Sequence, residues 1–404
     1  MSKRLKLLLV NVGGTRKKVY QELSKDFCGI ELPSWAALTA GFIRNNGFEV
    51  DILDANANNL DIKETTDYIL KVDPKLVGII DYGQQANTAT PLMDGIGELC
   101  KEIKSKDPDR KVIITGWHPS ALPARTLNEE VCDFVGEGDG FYTYLGLLQE
   151  RDLKNIPGLW WREDGSIVNN SRAKNIENLN VELKNIAWDL LPMDKYRSFN
   201  WLALRDLESR NKYASLYTSL GCPFRCKFCA VHVNFGERKI RYWEPSWVLN
   251  QIDYLVEHYN IKNLKINDEM FVFNPSHFMP IIDGLIERNH GLNICAFARV
   301  DATKKEYLSK LKKAGFNWLE LGIESANSDV LRNVAKGKYE KSDIRTVVKN
   351  IHDAGIDLCA NFIFGLPGDT LESMQETLDL ALELIPAFPS FSVLWQHQGL
   401  NSMM

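Results

Sequence analysis

Cys222, Cys226 and Cys229 lie within eight positions of one another, in the run Thr218-Ser219-Leu220-Gly221-Cys222-Pro223-Phe224-Arg225-Cys226-Lys227-Phe228-Cys229. Thiolates are the usual ligands of iron–sulfur clusters. Three of them in one tight loop can hold three irons of a four-iron cluster and leave the fourth open. Gly221 and Pro223 suit a sharp turn, and Arg225 and Lys227 offset the negative charge of such a cluster. Zinc is the competing reading. His232 follows Cys229 by three residues, so a Cys3His structural site is chemically feasible. Structural zinc usually organises a small domain, whereas this loop follows a strand inside a long βα series. Cys28, Cys100, Cys132, Cys295 and Cys359 are scattered through apolar or mixed surroundings and read as small buried residues. A disulfide framework is not expected in a large chain without export signals.

The elements that must carry this loop fall into two series. Over residues 1–150, strands are expected at 7–12, 49–53, 76–80 and 111–115. Helices are expected at 35–46, where Gly47 stops the run, and at 92–105. Strands alternating with helices imply a doubly wound parallel sheet, Rossmann-like, which binds ligands at the C-terminal ends of its strands. Residues 151–212 break the rhythm and read as a linker with a small β element, a hairpin turning at Asp164-Gly165. From 213 to 404 a second βα series runs. Its strands are expected at 213–220, 263–267, 293–297, 318–323, 357–364 and 390–395, with a helix at 246–259. Six βα steps suggest a partial (β/α)6 barrel of the TIM type, with its chemistry at the strand C-terminal ends. The fold class is therefore α/β throughout.

The remaining sequence-wide properties exclude more than they identify. The 404 residues suffice for two or three domains, and 45% hydrophobic with 25% charged residues is ordinary for a globular protein. A net charge of −5 makes no electrostatic case for a nucleic-acid partner. No apolar run approaches the roughly 20 residues of a membrane helix. Leu7-Leu8-Leu9-Val10 is too short for a signal peptide, so a cytoplasmic location is expected.

The C-x3-C-x2-C spacing, with Phe228 before the last cysteine, resembles the radical S-adenosylmethionine (radical SAM) superfamily. The resemblance covers roughly 213–395 and extends to motifs at the ends of later strands. It implies a 4Fe–4S cluster on Cys222, Cys226 and Cys229, whose open iron chelates S-adenosylmethionine and whose reduction yields a 5′-deoxyadenosyl radical. It implies a one-electron donor such as flavodoxin or ferredoxin. Phe228 is expected against the bound S-adenosylmethionine, and Asp268 and Glu269 are expected to accept from its ammonium group. Arg299 would pair with its carboxylate through a planar fork. Glu324 would face the ribose or the methionine group, and needs some partner of its own if buried. Gly365 and Pro367 lie in a glycine-bearing segment that would approach the adenine.

Upstream, Gly116-Trp117-His118-Pro119-Ser120 and Gly136-Glu137-Gly138-Asp139 resemble the cobalamin-binding domain that precedes many radical SAM barrels. Gly13, Gly14, Thr15, Tyr82, Gly83, Gln84, Gly116, Trp117, His118, Pro119, Ser120, Glu137 and Gly138 are the residues expected to line the corrin. The Asp-x-His-x-x-Gly motif is absent: Gly116 stands two residues before His118 and Ala121 three after it. No histidine is thus clearly offered as lower axial ligand. The combination implies a cobalamin-dependent enzyme acting on a small-molecule metabolite, with methylation of an unactivated carbon as the leading expectation. Radical cyclisation or rearrangement on the same scaffold, and a non-catalytic cobalamin- or zinc-binding module, are the alternatives.

Overall fold

The computed structural model describes residues 5–13, 28–82, 86–204, 206–337, 339–384 and 388–393. The chain divides into two compact units. The first is Met1–Arg197 with Ala230–Glu237, and the second is Ser198–Cys229 with Arg238–Met404.

The first unit is built on a seven-stranded sheet. Its strands are β1 (Leu7–Asn11), β2 (Val50–Asp54), β3 (Leu76–Asp81), β4 (Lys111–Gly116), β5 (Phe134–Gly136), β6 (Leu159–Glu163) and β7 (Ser166–Asn169). They lie in the order β2-β1-β3-β4-β5-β6-β7. The first five are parallel. β1 and β3 are buried almost throughout, as continuous aliphatic runs must be when helices cover both faces. Winding outward from β1 in both directions creates a switch point between β1 and β3, where such sheets place ligands at their strand ends. A cleft of about 440 Å³ lined by Lys6, Lys75, Asp107, Arg110 and Glu150 opens at the opposite, N-terminal ends of these strands.

The hairpin expected at 160–168 is present. Asp164 and Gly165 both take positive φ, 49° and 78°, as a two-residue I′ turn requires. Its strands β6 and β7 extend the first sheet in antiparallel fashion. The segment expected as a linker, 151–212, is therefore divided between the units. Its first part is stitched back by Tyr196, whose hydroxyl donates to buried Asp54 at 2.9 Å, and by a bridge between Ile30 and Arg197.

The second unit carries β8 (Tyr213–Leu216), β9 (Ser219–Leu220), β10 (Arg241–Tyr242), β11 (Asn263–Ile266), β12 (Asn293–Arg299), β13 (Phe316–Glu324), β14 (Asp357–Phe364) and β15 (Phe388–Val393). Six of these form one parallel sheet in the order β8-β11-β12-β13-β14-β15. Each strand lies beside its predecessor, which is how a barrel winds. The two faces differ in chemistry. Leu264, Ile266, Ala296, Ala298, Leu319, Leu321, Leu358 and Ala360 are buried and apolar on one face. The helices Lys305–Lys313 and Lys341–Asp353 bury Leu308, Leu311, Ile344, Val348 and Ile351. The alternate residues include Lys265, Cys295, Glu320 and Cys359, on the other face. Lys265 Nζ lies 3.6 Å from Glu320 and 4.9 Å from the centre of the Phe297 ring, and Cys295 Sγ lies 3.6 Å from Glu320. At the strand N-termini, Asn263, Asn293 and Asn317 form a ladder of amide hydrogen bonds that also ties in the carbonyl of Leu202.

The expected single strand at 213–220 is broken after Leu216. β9 leaves the main sheet and pairs antiparallel with β10. No helix among the described residues is long and apolar enough to cross a membrane.

Candidate active site

The break after Leu216 has an identifiable cause. Asp268 is fully buried just past β11. Its carboxylate accepts from the Thr218 backbone N–H at 2.6 Å, the Thr218 hydroxyl at 2.5 Å and the Ser219 hydroxyl at 2.6 Å. Burial lifts its pKa to about 6, against the pull of these donors. With Asp268 ionised and taking the Thr218 hydroxyl proton, that oxygen must accept from His277 Nε2–H, 3.0 Å away. Burial pushes His277 down to about 4, consistent with a neutral ring. Asp268 was expected to bind an ammonium group. The structure instead gives both of its oxygens to the turn that launches the cysteine loop.

The loop is held from three further sides. Gly221 has φ +101°, and a Cβ there would stand 2.2 Å from the Lys239 carbonyl, so only glycine fits. The Lys227 N–H donates to Val334 O at 2.9 Å. Phe228 packs on the small cluster of Val330, Val334 and Leu366. The three thiols are half-buried. Burial pushes the Cys222 thiol up to about 11, and the nearby Glu269 charge adds to the rise. Ligating iron must therefore displace a proton from Cys222. Among the described residues, no three His, Cys, Asp or Glu side chains are drawn together as a ready ion site. The donor chemistry nonetheless fits an iron–sulfur cluster: three thiols on one loop, with a buried cation beside them.

That cation is Arg299, at the end of β12. Its guanidinium stacks on Phe224 at 3.7 Å and directs Nη1 to Cys226 Sγ at 3.4 Å. Nε and Nη2 grip the Asp301 carboxylate at 2.9 and 2.8 Å, and Nη2 also donates to Lys336 O. The planar fork expected for a ligand carboxylate is thus already filled by Asp301. What remains is a positive charge against the cysteine sulfur.

Glu324 ends β13 with φ +67°, a left-handed value that a non-glycine residue adopts only when its surroundings enforce it. Its carboxylate pairs with Lys336, 2.7 Å away and equally buried. Lys336 had no signal in the sequence. It is brought back by a tight turn in which Ala335 also takes positive φ. Lys336→Met leaves a buried carboxylate unpaired and should cost the second unit about 3–5 kcal/mol. Adding Glu324→Gln should recover most of that loss in chemical denaturation.

Glu269 is the acid left available. No hydrogen bond or ion pair is found for it among the described residues. Burial, with the Asp268 charge behind it, raises its pKa to about 7, and Lys265 opposes the rise. At the end of β14, Gly365 has φ +79° and open space about it, and Pro367 is exposed. Leu366 between them is buried against the Phe228 cluster. The segment expected near adenine and the cysteine loop thus share one packing cluster.

In the first unit, the expected loops converge on Gly138, just past β5. Its carbonyl accepts from the Tyr82 hydroxyl at 2.9 Å, and its N–H donates to Ser120 Oγ at 3.0 Å. Trp35 Nε1 reaches the next carbonyl, of Asp139. Trp35 stacks on Tyr82 with ring centres 4.6 Å apart, and Trp117 meets Tyr82 edge-on at 6.1 Å. Glu137 accepts from Trp160 Nε1 at 2.9 Å. His118 Nδ1 lies 3.1 Å from Thr90 Oγ1, and Pro119 is buried beside it. At Gly116, with φ +144°, a Cβ would stand 2.1 Å from the Asp81 carbonyl oxygen, so the position needs glycine. Gly13 is required by the close carbonyls of Ala55 and Leu60 rather than by a ligand. Gly14, Thr15, Gly83 and Gln84 lie outside the described residues. Trp35, Asp81 and Arg172 were missed, since a helical tryptophan, a strand-end acid and a distant arginine each read as ordinary structure.

Asp81 shows that this surface suits a ligand with a polar rim. It is fully buried, with Oδ2 accepting from the His118 N–H at 3.1 Å and Oδ1 without a hydrogen-bond partner among the described residues. Burial raises its pKa well above 3.8. Below about pH 3.8 the carboxyl is protonated in both folded and unfolded chains and costs nothing. As pH rises the unfolded chain ionises freely while the folded one resists, so stability is lost with rising pH. Asp81→Asn should therefore stabilise the cofactor-free protein, and by more at pH 8 than at pH 5, in denaturation midpoints measured at both. Aromatic rings packed at these strand ends beside an unpaired buried carboxyl oxygen fit a corrin, which is a broad ring rimmed with amides.

Comparison with known proteins identifies both domains. The Radical SAM superfamily profile matches residues 216–381, and the B12 binding domain profile matches 27–147. The chain belongs to the radical SAM superfamily, in the group whose barrel accompanies a cobalamin-binding domain. It is a radical SAM enzyme, and its cofactors are a 4Fe–4S cluster, S-adenosylmethionine and cobalamin. It is 28% identical over 387 residues to an uncharacterized methyltransferase of Pyrococcus horikoshii, covering 92% of this chain and 79% of that protein. It is 25% identical to the anaerobic magnesium-protoporphyrin IX monomethyl ester cyclase of Rubrivivax gelatinosus, covering 93% of this chain and 66% of the cyclase. It is 29% identical to the bacteriochlorophyllide d C-12(1)-methyltransferase of Chlorobaculum tepidum, over 70% of this chain and 65% of that enzyme. The chain thus spans about two thirds of the last two. Its fold is shared with the radical S-adenosylmethionine methyltransferase TsrM of Kitasatospora setae, solved with cobalamin and a 4Fe–4S cluster. The TM-score is 0.74 at 20% identity, covering 97% of this chain and 72% of TsrM.

Proposed function

We propose that this chain transfers a methyl group to an unactivated carbon of a small-molecule substrate. The observation that carries the reading is the pairing, in one chain, of a three-thiol loop at a barrel's strand ends with aromatic rings packed at the strand ends of a doubly wound sheet. When bound, the cluster and S-adenosylmethionine supply a 5′-deoxyadenosyl radical, and cobalamin supplies the methyl group. The chain's own residues position and insulate. Cys222, Cys226 and Cys229 ligate the cluster. Arg299 holds positive charge against Cys226. Glu269 accepts from the amino group of S-adenosylmethionine, while Phe228 and the Gly365–Pro367 turn confine the nucleoside. Glu324 keeps Lys336 in place at the edge of this site. A flavodoxin or ferredoxin in the cytoplasm supplies the electron.

The role of Glu269 has a pH signature. A carboxyl with a pKa of about 7 accepts fully from the amino N–H groups only once ionised. Affinity for S-adenosylmethionine should therefore rise with pH through about 7. Glu269→Gln should remove that dependence and raise the dissociation constant about tenfold or more, measured by equilibrium binding to the cluster-loaded protein.

The names of the cyclase relatives favour a second reading, radical ring closure. S-adenosylmethionine labelled in its methyl group separates the two. Methyl transfer carries label from S-adenosylmethionine into product. Cyclisation consumes S-adenosylmethionine with no label in product.

A further inference from the structure

The segment Ala230–Glu237 follows directly on Cys229, yet it packs with the first unit. Its helix, Val231–Phe235, sets Phe235 against Trp117 at 5.7 Å and Trp35 at 6.0 Å. Arg172 donates to the carbonyls of Val233, at 2.7 Å, and Asn234, and the Asn175 amide donates to Phe235 O. Arg172 also pairs with Glu137 at 3.8 Å and lies close against Gly138. The 233–236 turn is thereby clamped to the strand-end loop on which Tyr82, Ser120 and Trp35 converge.

Within this well-bonded turn the Asn234 side chain is the exception. It is 0% exposed, and neither Oδ1 nor Nδ2 has a hydrogen-bond partner among the described residues. Buried polar groups are almost always paired, and an amide with both ends unfilled is costly unless something else supplies the partners. The missing partner must both donate and accept. A carboxylate or phosphate would fill Nδ2 and leave Oδ1 bare, and an apolar surface would fill neither. A primary carboxamide offers a donor and an acceptor side by side, matching an asparagine reciprocally. The rim of a corrin carries such groups.

We propose that Asn234 is a cobalamin-binding residue whose amide pairs with one of the corrin's carboxamide side chains. The inference rests on the reading of the first unit as the cobalamin site. It adds a residue from beyond the B12-domain match at 27–147, taken from the chain that leaves the cluster loop.

The test is titration of the full-length, cofactor-free protein with hydroxocobalamin, alongside its thermal unfolding without cobalamin. Wild type, Asn234→Leu and Asn234→Ala are compared. Both variants should bind about tenfold more weakly, the scale of two lost neutral hydrogen bonds. The melting temperature of cofactor-free Asn234→Leu should stay level or rise, because no protein hydrogen bond is removed. A cobalamin with one side-chain amide hydrolysed to the acid sharpens the assay. Wild type should discriminate against one such isomer, and Asn234→Leu should not. Unchanged affinity in both variants overturns the proposal. So does a lowered melting temperature with unchanged discrimination, which marks a structural amide. If wild type itself fails to bind hydroxocobalamin, the cobalamin reading falls first, and that outcome is distinct from either.

Discussion

Cys226→Ala should abolish reductive cleavage of S-adenosylmethionine and strip most iron from the reconstituted protein. Removing one of three thiolates leaves a four-iron cluster with two protein ligands, too few to fix it or to present one open iron. The site also explains why Cys226 is the most informative of the three. Arg299 directs Nη1 at its sulfur from 3.4 Å while stacked on Phe224, so Nη1 loses that partner once the sulfur is gone, while Asp301 keeps Nε and Nη2. Cys359→Ala is the control. Cys359 is buried in β14 with its thiol pushed up to about 12 by burial, a poor ligand and a poor nucleophile. It should keep iron content and cleavage near wild type. Iron and sulfide analysis with quantified 5′-deoxyadenosine reads both variants. Full activity in Cys226→Ala would remove that residue from the ligand set.

Asp268→Ala should be nearly as damaging by a different route. It removes the shared acceptor of the Thr218 N–H, the Thr218 hydroxyl and the Ser219 hydroxyl, all buried. A buried donor left without an acceptor costs about 1–3 kcal/mol, so the second unit should lose roughly 3 kcal/mol or more. The functional loss should exceed the stability loss, because Thr218 and Ser219 set the direction in which the chain enters Gly221 and Cys222. Asp268→Asn keeps one acceptor and the shape, and the hydroxyls can reorient. It should fold nearly as well as wild type and retain part of its cluster. A ligand-binding Asp268 would give the reverse order: both variants would load the cluster normally and fail in S-adenosylmethionine affinity. Iron content against binding affinity in the two variants decides between these roles.

The parts of this architecture that were legible in the sequence are those written in local patterns. The cysteine spacing is a property of eight consecutive positions, and a loop needs little else to hold iron. The βα alternation and the Asp164-Gly165 turn are likewise local, and the strands fall close to where periodicity places them. What could not be read depends on contacts between distant residues. Lys336 becomes the partner of Glu324 only through the Ala335 turn. Arg172 clamps the 233–236 turn across some sixty positions. Trp35 reads as a core residue of the helix Ser34–Asn45, yet it faces Tyr82 and the Gly138 loop. An acid at a strand end is ambiguous by nature. Asp268 and Glu269 are neighbours of one type, and only the fold shows that the first is spent on Thr218 and Ser219 while the second is left for a ligand. The domain boundary failed for a related reason. Residues 151–197 have irregular composition, but β6 finds its partner in β5, which no local signal announces, and β7 adds to β6.

The central claim is that Cys222, Cys226 and Cys229 hold a cluster that cleaves S-adenosylmethionine. The most direct measurement is 5′-deoxyadenosine formation by the anaerobically reconstituted full-length protein, given S-adenosylmethionine and a strong one-electron reductant. The structure predicts reductant-dependent 5′-deoxyadenosine in step with iron content, and none from Cys226→Ala. Stoichiometric zinc on the three cysteines, with no 5′-deoxyadenosine at full metal occupancy, would contradict it.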